Sequence, residues 1–160
     1  MIATGAIAQE DFPTDPTLPD DVVIVPMYEV TSPANSLDGG ATTNGIVNGN
    51  CGSTYLYVGD VSDWTGGKAN FWFGASSAIG YGNILSVSWG VSWVNNDTGA
   101  QGNDGGVAFP NSVNWSHDFT ESTGYGLVEA TLSGSAQVVK ASGVTTCVFG
   151  NPSDSYEIDP

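Results

Sequence analysis

The chain reads as all-β, a single antiparallel β-sandwich of Greek-key, immunoglobulin-like or jelly-roll type carrying an extended acidic N-terminal arm. Three observations predict this. From Asn83 to Asn96, Leu85, Val87, Trp89, Val91 and Trp93 fall on one face of an extended strand, with Ser86, Ser88, Gly90 and Ser92 on the other. No stretch offers the i, i+3, i+4, i+7 apolar stripe of an amphipathic helix. The 160 residues include 22 glycines and 11% aromatics among many Ser, Thr, Asn and Val, the composition of short strands joined by tight turns. With 40% hydrophobic residues, a chain of this length furnishes one core and not two.

Residues 1–21 are expected to form the arm. Between 9 and 21 there are three prolines, five acids and only two large apolar side chains, Phe12 and Leu18, too little to offset the entropy of ordering the segment. Residues 22–50 follow as an edge strand and a turn-rich linker. Val22, Val23, Ile24 and Val25 are strong β-formers, but Pro26 removes a ladder donor and so favours an edge. The same four residues, with Phe12 and Leu18, suit strand donation to a neighbouring copy or partner. Pro33, Asp38-Gly39-Gly40 and Asn44-Gly45 punctuate the linker.

The core is assigned to residues 51–150, with strands expected over 51–58, 70–75, 83–96, 113–119 and 144–149. Residues 124–139 form one bent strand or a hairpin around Ser133-Gly134-Ser135. The glycine-rich stretch from Asp97 to Gly106 reads as a loop, and residues 151–160 as an acidic C-terminal tail. No internal repeat of fixed period is present.

The formal charge of −15 is unevenly placed. Residues 1–50 hold seven acids and no base, 51–150 hold seven acids with Lys68 and Lys140, and 151–160 hold three acids. A chain with two Lys and no Arg lacks the cations that neutralise phosphates, so nucleic acid and anionic membrane surfaces are poor partners. No apolar run is long enough for a membrane helix. Cys51 opens the first core strand and Cys147 lies in the last; a bond between them ties the two ends of the domain and implies an oxidising compartment. Together with Ala6-Ile7-Ala8 ahead of Gln9, a small-x-small match to a signal-peptidase site, this leads to the expectation of a secreted protein.

No catalytic constellation stands out. His117 is the only histidine, shares strand parity with Trp115 and Phe119, and is expected half-buried, whereas Asp118 points to the opposite face. Nothing selects a carboxylate pair among Asp60, Asp63, Asp118, Glu121 and Glu129. The protein is therefore expected not to be an enzyme and to need no cofactor. Asp97, Asn103 and Asp104 offer a weak set of oxygen ligands for calcium. Trp64, Trp72 and Tyr81 are the rings best placed to stack on sugars. The leading expectation is a secreted, non-enzymatic interaction or assembly subunit that binds protein or self-associates. An extracellular glycan-binding module is the alternative, and a membrane-inserting hairpin drawn from residues 69–96 is the third reading.

Overall fold

The computed structural model describes residues 22–30, 47–60 and 66–160, and within them the extended segments form nine strands and no helix. These are β1 (Val23–Val30), β2 (Val47–Asp60), β3 (Lys68–Ser77), β4 (Ile84–Asn95), β5 (Gln101–Ala108), β6 (Asn114–Ser122), β7 (Gly126–Lys140), β8 (Gly143–Phe149) and β9 (Ser153–Ile158). Every pairing is antiparallel, in the order β5-β4-β7-β8-β1-β2-β3-β6. β9 takes the length of β7 that β8 leaves vacant: β8 lies beside Ser135–Lys140 and β9 beside Gly126–Thr131.

The fold is thus a single curled sheet, a half-barrel; a division into two separate sheets, the sandwich expected from the sequence, is not seen among the described residues. Aromatic contacts show how far the curl goes. β4 and β3 stand five places apart in the sheet, yet the Phe73 and Trp89 rings lie 4.8 Å apart and Phe71 stacks on Trp93 at 6.2 Å. Phe71 and Phe73 are fully buried, each worth roughly 1.5–3 kcal/mol of burial. Leu56 and Val58 of β2, Val87 and Val91 of β4, and Val128 and Leu132 of β7 complete the same core.

The sheet turns its corner at β1, which carries two register shifts between Met27 and Glu29. Bulges of this kind bend a strand and increase its twist without breaking the hydrogen-bonded path. Cys51 of β2 and Cys147 of β8, on opposite sides of β1, are joined by a disulfide with Cα atoms 6.4 Å apart. In a flat sheet two such strands would be separated by about 9.6 Å. The short span therefore requires the fold around β1, and the bridge holds it.

A polar clamp sits on the same corner. Glu29 of β1 accepts hydrogen bonds from Lys140 Nζ, from Thr145 Oγ1 at 2.7 Å and from Tyr81 OH at 3.0 Å, with its side chain 15% exposed. The Lys140 hydrogen bond, followed by that of Thr145, holds the Glu29 carboxyl below the usual carboxylate range against the opposing effect of burial. Burial, and then the bond to Glu29, push the Tyr81 phenol up. A depressed carboxylate contributes stability above its unfolded pKa and loses it as pH falls through the folded one. Glu29→Gln should accordingly cost about 1–2 kcal/mol at neutral pH. That difference should begin to shrink as pH falls through the unfolded glutamate pKa of about 4.3 and vanish below the lower folded one. Urea unfolding of both proteins across pH checks this; a gap that persists undiminished in acid would place its origin in packing and not in charge.

Several segments differ from their expected form. Among the described residues β1 pairs with β2 alone over Val23–Pro26, but at Met27–Glu29 it is flanked by β2 and β8. Residues 101–108, expected as loop, are β5, and 153–158, expected as tail, are β9. Residues 126–140 are one strand and not a hairpin, its pairing with β4 running in register through Gly134, where φ is 150° and a Cβ would stand 2.2 Å from the Ser88 carbonyl. On β4 the expected face holds from Val87 to Trp93, but a register shift between Ile84 and Ser86 gives the buried position to Ile84 in place of Leu85. The proposed 69–96 hairpin does not form, because β3 pairs with β2 and β6 while β4 pairs with β5 and β7.

Candidate interaction surfaces

The residues singled out from sequence do not converge on one site. Trp64, Phe12 and Leu18 lie outside the described residues. Trp72 is half-buried on β3, edge-on to Tyr55 at 6.3 Å, and Tyr81 is held by Glu29 at the β1 corner. Val22 is buried, and Val23, Ile24 and Val25 pair with Leu56, Tyr55 and Thr54 of the chain's own β2. The calcium set is split: Asp97 Oδ2 accepts the Leu127 N–H at 2.9 Å, whereas Asp104 Oδ1 accepts the Gly105 N–H at 2.9 Å on β5. Asn103 points to the opposite face of β5 from Asp104. No group of three or more His, Cys, Asp or Glu suited to a metal occurs among the described residues. His117 is exposed, not half-buried, with its ring 5.0 Å from Trp89 and 5.6 Å from Phe73.

Sequence reasoning passed over one end of the half-barrel. The β3–β4 and β5–β6 connections meet there, tied by Ser77 N–H to the Val113 carbonyl at 2.9 Å, by a bridge between Ile84 and Ser112, and by Asn83 Nδ2 to the Asn111 carbonyl. Asn111 adopts φ 47°, a left-handed turn that Asn tolerates. Ile79, Val107, Phe109 and Val113, on or beside these connections, are 83%, 62%, 76% and 40% exposed. No charged residue occurs along the chain from Ala69 to Asn96 or from Gly105 to Ser116, although the Glu29–Lys140 pair lies close by, bonded to Tyr81. The available signal was a lone large apolar residue inside a turn, as in Ala78-Ile79-Gly80 and Phe109-Pro110-Asn111.

The second feature is the open seam. β5 and β6 end the sheet and, among the described residues, pair on one side only. Eight antiparallel strands make these two edges antiparallel, so a direct hairpin would close a barrel; the bridge at Ser112 instead draws the connection across to β4. The Trp89 ring of β4 meets His117 and Phe119 of β6 at 5.0 and 6.5 Å. A third feature, a groove of about 640 Å³ across β4, β7 and β9, is lined by Ser92, Gln101, Glu129, Thr131, Ser153 and Asp154. Its one ring, Trp93, is 8% exposed, so it offers hydroxyls and carboxylates but no stacking platform.

No protein-family model, curated relative or solved structure matches the chain.

Proposed function

We propose that the protein is a secreted, non-enzymatic assembly subunit whose copies meet through the apolar tip of the half-barrel. The observation that carries this reading is the exposure of Ile79, Val107, Phe109 and Val113 on connected segments that carry no charged residue of their own. Two copies of charge −15 repel; segments that carry no carboxylate of their own give them apolar surface to bring together with less repulsion. Burying those four side chains is worth roughly 4–8 kcal/mol per copy. Association costs on the order of 4–15 kcal/mol, which leaves a weak, concentration-dependent contact. The disulfide is consistent with an extracellular setting.

Sedimentation velocity from micromolar to millimolar protein tests the reading. Dimers should appear at the upper end and increase with salt, which screens the repulsion. Phe109→Asp and Ile79→Asp should each leave a monomer with an unchanged melting temperature. A wild-type protein that stays monomeric at millimolar concentration in high salt, or variants that still dimerise, would remove the tip from consideration.

A further inference from the structure

The exposed edge of β5 has a readable register. Asn95 N–H bonds the Ala100 carbonyl and Asn96 N–H bonds the Leu127 carbonyl, so odd residues of β4 bond β5 and even ones bond β7. Leu132 N–H, which bonds the Pro152 carbonyl and not β4, agrees with that phase. Antiparallel alternation then aims the backbone groups of Gly102, Asp104 and Gly106 at β4, and those of Asn103, Gly105 and Val107 outward. The outward N–H of Gly105 is occupied by the carboxylate of Asp104. On the inner face, Gly102 and Gly106 leave room for the rings of Trp93 and Trp89, which come within 2.8 and 3.2 Å of where a Cβ would sit.

We infer that β5 accepts an extended segment of a partner protein by strand addition, with a Lys or Arg opposite Asp104 and a large apolar residue two positions away on each side. The inference extends the interaction reading to a second surface and rests on it only for the class of partner. Each feature of the edge sets one feature of the ligand. The outward backbone groups of Asn103, Gly105 and Val107, which pair with no strand among the described residues, supply the ladder once Gly105 N–H is released. The cation draws the Asp104 carboxylate away from Gly105 N–H, which then donates to the incoming strand; an acid at that position meets like charge and leaves the donor blocked. The flanking apolar side chains lie opposite Gly102 and Gly106, which carry no side chain to oppose them, and the one opposite Gly106 reaches the half-buried Trp89 ring. A second copy of β5 suits the edge poorly, because Gln101–Ala108 contains Asp104 and no base to pair with it.

The test uses the full-length, isotope-labelled protein and two capped peptides, Thr-Leu-Thr-Lys-Thr-Leu-Thr and the same peptide with Glu in place of Lys. The Lys peptide should shift the amide signals of Asn103, Gly105 and Val107 more than those of Gly102, Asp104 and Gly106. It should bind at least about tenfold more tightly than the Glu peptide, the scale of one favourable charge pair exchanged for a repulsive one. Asp104→Asn should bring the two peptides to within about twofold of each other. Asn103→Pro removes an outward donor without breaking the β4 ladder, and should abolish binding in a protein that keeps its melting temperature. Equal binding of the two peptides by wild type, or shifts confined to Ile79 and Phe109, would overturn the inference, the second outcome assigning the peptides to the tip. Dimers that disappear in Asn103→Pro without peptide would give the edge to a second copy instead. Failure here leaves the tip, tested by Phe109→Asp, unaffected.

Discussion

Replacing both Cys51 and Cys147 by alanine is expected to lower the free energy of unfolding by about 3–5 kcal/mol. The cysteines are 96 residues apart in sequence, so the bond removes much of the freedom of the unfolded chain. Both are fully buried in the main core, so the change also removes packed sulfur from the inside of the corner. Urea denaturation gives the measurement, and the slope with denaturant should rise as well, because an uncrosslinked chain exposes more surface when it unfolds. Reductant added to wild type should reproduce the loss. If the double variant unfolds within about 1 kcal/mol of wild type, the corner is held by the bulges of β1 and the Glu29 clamp, and the bond is incidental to it.

The two cysteines and the face of β4 were legible in the sequence because each depends on local chemistry. Thiols at two strand positions invite a bond, and Val87, Val91 and Trp93 alternate with serines. β5 was not legible, since Gln-Gly-Asn-Asp-Gly-Gly has almost no strand propensity of its own. It is a strand because β4 supplies a full ladder and two Trp rings cover its glycines, information that lies on β4. β9 escaped for the same reason: Asp-Ser-Tyr-Glu reads as an exit, but the vacant edge of β7 beneath β8 recruits it, and Asp154 Oδ2 accepts Val58 N–H at 2.8 Å to join it to β2. Half-barrel and sandwich share one alternating pattern; what separates them is whether hydrogen bonding continues through β1, and bulges leave no compositional trace. The tip was hidden by a different bias, because large apolar residues were assigned to the core by default, whereas Ile79 and Phe109 sit in turns.

Asn95→Ala is expected to cost about 3–4 kcal/mol, more than any other single polar substitution among the described residues. From the sequence, Asn95 only begins the turn that ends β4. In the fold it is fully buried, and its amide is completely used. Nδ2 donates to the Thr123 and Tyr125 carbonyls, both at 2.9 Å, and Oδ1 accepts the Asp97 and Thr98 N–H groups at 2.9 and 3.2 Å. One side chain thus closes the β4–β5 turn and fastens it to the β6–β7 connection, about 30 residues further along the chain. Backbone carbonyls carry no sequence signature, which is why this role could not be read in advance. Truncation leaves two acceptors and two donors without partners around a side chain that is itself fully buried. The neighbouring exposed Asn96, whose Nδ2 reaches Glu129, supplies the control: Asn96→Ala should cost less than about 1 kcal/mol. Urea midpoints rank the two variants, and hydrogen exchange at the Asp97 and Thr98 amides should accelerate only in Asn95→Ala. A loss below about 1 kcal/mol with those amides still protected would mean that ordered water takes over all four bonds, and the turn is not held by the amide.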